Sequence, residues 1–314
     1  MARMKPLYGN VKLYCTVVAD SHIDIKNPTP WYPKLMLKRA LKDCECTKPA
    51  SDAFIIVGDT TSLGCKVNWD LTRDCFNKVK PKTKILFCIG NHDCWNEDGG
   101  FEAARKEYFS AVKDICGVER SRMYFSEVIN GYSLIFLGNE ADSGCGARIS
   151  DEQIEWFKGE MAKGGESGKP IFVFCHQSIN GRHGLPRTFD KSESDTGPMD
   201  GGVGEKSDEI DAVMHQYKNV FYFSGHSHMG FAGENKAKNE NYSSFEVDGT
   251  VTYINLPSLS CGNHHGEVAS NRSGSQLEVY EDKVVIRPRL HFSGSWLKKA
   301  IIKDGKPYFE TKIK

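Results

Sequence analysis

The sequence predicts an α/β fold with much parallel sheet, and three features carry that expectation. Short apolar runs rich in β-branched and aromatic residues recur: KLYCTVVA, AFIIVG, KILFCIG, YSLIFLG, IFVFCH and VFYFSGH. Several have no polar alternation, as strands buried on both faces require. Helical patterns lie between them, and strands alternating with helices imply parallel pairing through crossovers. After Ser224 the pattern changes to strands joined by tight turns, so the C-terminal quarter reads as mostly antiparallel.

The elements follow in order. The chain opens with MARMKPLYGNVKLYCTVVADSH, basic and then apolar. The apolar part is short, broken by Lys12, and has no small-residue cleavage site before Asp20. Residues 11–19 therefore read as a first core strand rather than a signal peptide. WYPKLMLKRALKDC fits a helix, and GGFEAARKEYFSAVKDICG fits another that closes on Gly117. SDEQIEWFKGEMAKGG is the clearest, with Ser150 and Gln153 as a capping box and Gly164 as a stop. YSSFEVDGTVTYINLPSL reads as two strands around Asp248-Gly249. SQLEVYEDKVVIRPRLHF reads as a second hairpin, and KKAIIKDGKPYFETKIK as a third that turns at Asp304-Gly305.

Composition excludes several classes. The 314 residues have a formal net charge of zero, so no global field favours nucleic acid or an anionic membrane. No apolar run approaches the roughly 18 residues of a membrane span. Eleven cysteines are scattered without a framework spacing, and Cys15, Cys88 and Cys175 sit inside apolar runs, where a thiol is a small hydrophobe. This fits a reducing, cytoplasmic setting. Cys44 and Cys46 form the one close pair, and no second pair completes a zinc site.

The ends of the buried runs carry unusual residues. The first ends in ADSH, with Asp20 and His22; the second in GDTTS, with Asp59. The third ends in GNHD, with Asn91, His92 and Asp93; a later one in CHQS, with His176; the last in SGHSH, with His226 and His228. A lone Asp or Asn after a strand is a turn former or a helix cap. Five coincident strand ends are a different matter, because open α/β sheets bind ligands beyond the carboxyl ends of their strands. Two carboxylates, four imidazoles and an amide form an N/O donor set without thiolate, suited to Mn, Fe, Zn or Co rather than Ca. Seven donors exceed one four-coordinate ion and suit two ions about 3.5–4 Å apart.

D-x-H, G-D, G-N-H-D, a strand-end His and G-H-x-H, in that order from Asp20 to His228, resemble the calcineurin-like metallophosphoesterase superfamily. The resemblance implies a four-layer αββα sandwich of two mixed β-sheets flanked by helices. It implies a catalytic domain over residues 1–273, with the C-terminal β hairpins of 274–314 packed on it. It also implies roles. Asp20, His22 and His228 would hold one divalent transition-metal ion. Asn91, His176 and His226 would hold the second, and Asp59 would bridge. His92 would contact the substrate or protonate the leaving oxygen. The implied reaction is attack of a metal-bound hydroxide on a phosphate mono- or diester, a small phosphate-ester substrate being the expected partner. GDTTSLG and Ile23 depart from the protein serine/threonine phosphatase branch, which has G-D-x-V-D-R-G and a Gly after the first His. Asp93 is then the nearest acidic neighbour for His92.

Two other readings remain. Nucleases of the superfamily share these blocks, and zero net charge weighs against them. A member serving as a protein-binding scaffold without catalysis would be expected to have lost ligands. Substrate identity is open. Residues 178–206, rich in Gly, Ser, Asp and Pro, form a long loop rooted just after His176. Arg182 and Arg187 on it are candidate substrate-binding residues, with His183 beside them. His264 and His265 are a second candidate border of the site, or simply part of a turn.

Overall fold

In chain order the elements are β1 Leu13–Val18, α1 Trp31–Glu45, β2 Ala53–Val57, α2 Lys66–Val79, β3 Lys84–Cys88 and α3 Gly100–Cys116. They continue with β4 Phe125–Ile129, β5 Tyr132–Phe136, α4 Asp151–Glu166, β6 Ile171–Phe174 and β7 Val220–Ser224, with α5 Ser207–Met214 between β6 and β7. The remaining strands are β8 Ala232–Asn235, β9 Glu240–Ser243, β10 Phe245–Asp248, β11 Val251–Asn255, β12 Gly274–Val279, β13 Lys283–Leu290, β14 Ser295–Trp296 and β15 Phe309–Lys312. The computed structural model describes residues 4–26, 29–184, 202–235, 240–262, 272–298 and 302–314.

Two mixed sheets lie face to face. The first runs β14-β13-β12-β1-β2-β3, with β15 also paired to β13; the second runs β10-β11-β7-β6-β5-β4. β1, β2 and β3 are mutually parallel, as are β5, β6, β7 and β11. Alternate residues of each strand face inward, as a period of two demands. Leu13, Cys15 and Val17 of β1 meet Phe136, Phe174 and Phe223 of the opposite sheet in one buried cluster. Phe136, Phe174 and Phe223 stack across three adjacent strands, with centroids 4.7 and 5.1 Å apart. The outer residues of the first sheet pack against α1, α2 and α3, and those of the second against α4 and α5. This is the four-layer αββα sandwich. β12 extends the first sheet by pairing with β1 in antiparallel fashion.

Several local expectations need correction. α2 was not anticipated, because its buried positions are Asn68, Trp69, Thr72, Cys75 and Phe76. Their spacing is helical, but the polar Asn and Thr hide the apolar stripe. The capping box at α4 is half made. Ser150 accepts from the Gln153 backbone N–H, while the Gln153 side chain turns inward to both backbone groups of Gly138. α4 then runs past Gly164 to Glu166, and the left-handed residue is Gly168. The turn at Asp304-Gly305 exists, but the strand after it pairs with β13 rather than with its own hairpin partner. β11 is not purely antiparallel, since β7 flanks it in parallel. None of the eleven cysteines is in a disulfide, and no helix among the described residues is long and apolar enough to cross a membrane.

A charged cluster ties α1 to the outer face of the first sheet. Arg289 donates two hydrogen bonds to the Asp43 carboxylate, at 2.8 and 2.7 Å, and the His291 Nδ1–H donates a third at 2.9 Å. All three residues are buried. Burial alone would raise the Asp43 carboxyl, but the hydrogen bonds from Arg289 and His291 outweigh it and hold the group below its ordinary range. Removing one partner leaves the others charged or unpaired without water. Asp43→Ala is therefore expected to destabilise the fold by about 3–5 kcal/mol in urea denaturation, far more than the exposed pair variant Lys78→Ala. A depressed carboxylate stabilises the fold above its unfolded value near pH 4 and loses that contribution as pH falls further. The wild-type advantage over Asp43→Ala should shrink on acidification below about pH 4.

Candidate metal centre

Parallel pairing brings the ends of β1, β2, β3, β6 and β7 to one rim. Just beyond them the chain keeps a parallel register: Asp20 N–H donates to Gly58 O, His22 N–H to Asp59 O, and Ile23 N–H to Thr60 O. Asp20, His22, Asp59, His226 and His228 all adopt left-handed backbone, with φ between 43 and 72°. For non-glycine residues that conformation costs on the order of 1–3 kcal/mol each and persists only where surroundings enforce it.

Three glycines make the convergence sterically feasible. A Cβ on Gly58 would lie 2.4 Å from the His176 ring, one on Gly90 2.1 Å from Asp59 Oδ1, and one on Gly225 2.4 Å from Asp20 Oδ2. Each glycine thus makes room for a functional side chain from a neighbouring strand. Gly58 also has φ of 74°, which a side chain would disfavour.

The side chains form a buried polar cluster. His22 Nε2 lies 3.0 Å from His228 Nε2, and His228 Nε2 is 3.1 Å from Asp20 Oδ1. His176 Nε2 lies 3.0 Å from Asp59 Oδ2 and 3.3 Å from His226 Nδ1. His22 Nε2 stands 3.7 Å from both Asp20 and Asp59. One potential donor set is Asp20, His22 and His228; a second is Asp59, His176 and His226. Asn91, 1% exposed, follows Gly90 beneath Asp59, and its Nδ2 has no partner among the described residues.

The electrostatics call for a cation. Burial penalises every charge here and pushes the His22 and His226 imidazoles down. It acts on His176 as well, but the Asp59 and Asp20 carboxylates override it and lift that imidazole to about 9. Against the cost of burial, the surrounding histidines hold both carboxylates well below their ordinary range. Two buried carboxylates with ring nitrogens in pairs 3.0 and 3.3 Å apart are a donor set that divalent ions fit.

His92 sits at the edge of this cluster. Its backbone N–H donates to Asp59 Oδ1 at 2.9 Å, and its Nδ1–H faces the Ser62 carbonyl at 3.0 Å. Its ring meets His22 edge-on at 4.7 Å, and one of its ring nitrogens shares a potential donor set with His22 and Asp59. Asp93 does not support it. That carboxylate is buried and accepts from the backbone N–H groups of Thr60, Thr61 and Gly90 and from the Thr61 hydroxyl. It ties the loop after β2 to the loop after β3.

The arginine expectation fares differently. Arg182 pairs with Asp248, lies over the Tyr253 ring at 4.3 Å and stands 3.8 Å from Asp211, so its described partners are on the β10–β11 hairpin and α5 and not in the histidine cluster. His183 is buried, with its backbone N–H on Glu246. Arg187, His264 and His265 lie outside the described residues. Of the loop at 178–206 only the two ends are described, and they pair beside His176 through Ser178 and Gly202.

Supporting residues were missed. Asn255, at the end of β11, donates from Nδ2 to Gly225 O at 2.7 Å and contacts the Ser178 and Ser224 hydroxyls; its Oδ1 accepts from Ser227. It therefore fastens the loop that carries His226 and His228. Ser258 Oγ–H donates to Asp20 O, and Ser260 Oγ–H to Ser21 O. The run NLPSLSC contains all three, but nothing in it distinguishes them from ordinary turn residues.

Residues 15–230 match the family described as calcineurin-like phosphoesterase. Among solved structures, a dimetal phosphatase from Danio rerio is similar, with 13% identity and a TM-score of 0.60 over 90% of this chain and 97% of that one. So is GAP50, the anchor in the inner membrane complex of Plasmodium, with 13% identity and a TM-score of 0.58 over 96% of this chain and 89% of that one. At these identities the two establish likeness of fold. No curated protein matches the sequence.

The glycine contacts are testable. Gly90→Ala should push Asp59 out of the cluster, so the folded variant should retain less Mn per chain than wild type by elemental analysis. Gly159, within α4, has open space around it. Gly159→Ala should leave metal content unchanged and raise stability by about 0.5–1 kcal/mol.

Proposed function

The chain belongs to the calcineurin-like phosphoesterase family, and on that premise we propose that it is a metal-dependent phosphoric ester hydrolase acting on a small phosphate mono- or diester. The observation that carries this reading is the convergence of two carboxylates and four imidazoles, each at most 4% exposed, with His92 at their edge. Asp20, His22 and His228 are assigned to one ion and Asn91, His176 and His226 to the other, with Asp59 common to both. Mn, Fe and Zn all suit such a nitrogen and oxygen set. When bound, the ions would supply an acidified water and positive charge for the phosphoryl oxygens.

The chain's own residues do the rest. The glycine-cleared strand ends hold the donors rigidly, and burial keeps bulk water from competing for them. The Ser62 carbonyl fixes the proton on His92 Nδ1, which leaves Nε2 as the ring nitrogen for a ligand. In its protonated form, Nε2–H can donate to the departing ester oxygen, the role of a general acid. We place the protein in a reducing, cytoplasmic compartment on the strength of eleven cysteines scattered without a framework spacing. Zero net charge favours a small substrate over nucleic acid. The scaffold reading would require that none of this turns over.

A hydrolysis screen across phosphate mono- and diesters, with Mn supplied, decides between enzyme and scaffold; absence of turnover with both ions bound would overturn the hydrolase. In calorimetric Mn titrations, Asp59→Asn should weaken both binding events and His228→Ala mainly one. His92→Ala should keep its metal and lose roughly 10²–10⁴ in kcat on an alkyl ester, and much less on a nitrophenyl ester, whose leaving group needs little protonation.

A further inference from the structure

Trp95 stands three residues beyond His92, and its ring packs on the His92 imidazole with centroids 4.0 Å apart. The other four tryptophans have evident placements. Trp69 is a core residue stacked on Phe87, Trp156 lies on Tyr124, Trp296 lies beneath Arg287 and Arg289, and Trp31 starts α1 beside Tyr32. Trp95 completes no core. Its neighbour Cys94 is already fully buried, while Trp95, like His92, keeps part of its surface in solvent. The seven proposed metal donors are at most 4% exposed. A molecule that brings an ester oxygen to His92 therefore does so beside the indole.

The wall is held in place before any ligand arrives. The Trp95 carbonyl accepts from Gly64 N–H at 2.7 Å, and its own N–H donates to His92 O at 3.2 Å. Asn96 Nδ2 donates back to Gly64 O at 3.2 Å, so the loop is stapled on both sides of the ring. Lys26 and Glu97, 2.7 Å apart, join this loop to the one after β1. A fixed aromatic face loses little freedom on binding, which is what makes such a face selective.

Resting on the phosphoesterase reading above, we propose that Trp95 is a specificity-determining residue that selects phosphate esters carrying a flat ring on the alcohol side. The group leaving over His92 lies against the indole. An aryl ring or a nucleobase would gain an offset-stacked or edge contact there, and a short alkyl chain would not. Such a contact is worth about two- to tenfold in affinity.

The test uses phosphonates, in which a methylene stands for the ester oxygen and no cleavage occurs. Benzylphosphonate and ethylphosphonate are titrated calorimetrically into the Mn-loaded full chain. Wild type should bind the benzyl compound about two- to tenfold more tightly. Trp95→Leu, which keeps an apolar side chain but removes the ring, should bring the ratio near one with metal content unchanged, and Trp95→Phe should restore most of it. The phosphonate analogue of adenosine monophosphate separates the two sources of a ring. A preference for it that Trp95→Leu abolishes assigns a nucleobase, and a preference confined to benzylphosphonate assigns an aryl group. A ratio near one in wild type, or one that Trp95→Leu leaves unchanged, overturns the proposal while the hydrolase stands. Failure of every phosphonate to bind the loaded protein also overturns the proposal, while the hydrolysis screen alone decides whether the hydrolase stands.

Discussion

Two carboxylates without water govern this molecule. Asp20 is fully buried and Asp59 is 1% exposed. An isolated carboxylate in such a place would take up a proton and neutralise. Here His176 and His228 lie within 3.1 Å of them, and no lysine or arginine is described beside them. The carboxylates lift His176 to about 9, but burial pushes His22 and His226 down, so those two imidazoles are poor counter-charges. A cluster built this way holds less positive charge than two carboxylates can use, and cations of suitable size complete it. The parallel strands beneath are what allow the residues to be held so close without it.

The three strand-end glycines show how sequence and geometry interlock. Gly58 clears His176, Gly90 clears Asp59, and Gly225 clears Asp20. No block is cleared by its own glycine. Each leaves space for a donor that arrives from another strand, so G-D, G-N-H-D and G-H-S-H form one steric unit although more than a hundred residues separate the first from the last. The left-handed backbone at five of the donors has the same origin. Each chain must turn sharply on leaving its strand to aim inward, and the parallel hydrogen bonds between residues 20–23 and 58–60 hold two of the turns in place.

The layered architecture was legible because its cause is local. Uninterrupted runs such as AFIIV and IFVF can be satisfied only between two layers, and the structure buries both completely. The site was legible for a related reason: imidazoles and carboxylates placed directly after such runs have no structural excuse. Elements whose logic is long-range were not. α2 presents Asn68 and Thr72 to the core because Asn68 Oδ1 accepts from Ile25 N–H and the Thr72 hydroxyl bonds the helix backbone at Asn68 O. Those partners are invisible in the segment itself. Gln153 reads as a cap and serves as a bridge to Gly138 for the same reason. Arg182 shows the opposite error: position in sequence beside His176 implied position at the site, yet six residues suffice to carry the chain to the β10–β11 turn.

This separation between what is buried and what is half-buried has a chemical consequence. Groups that must hold charge are placed where water cannot screen them, and their geometry is dictated by the sheets. Groups that must meet a ligand's varied part are placed on loops above, where His92 and Trp95 retain exposure. Among the described residues the two layers touch where the His92 N–H donates to Asp59 Oδ1 and where the His92 ring meets His22 edge-on. The ring proposed to meet the substrate is thereby anchored to the carboxylate proposed to be common to both ions. Asp59, His92 and Trp95 thus form one continuous chain of contacts, closed by the 4.0 Å ring contact. The Trp95 loop is stapled through Gly64 independently of the carboxylates, so the outer face takes its shape from backbone hydrogen bonds while the inner cluster takes its own from the sheets.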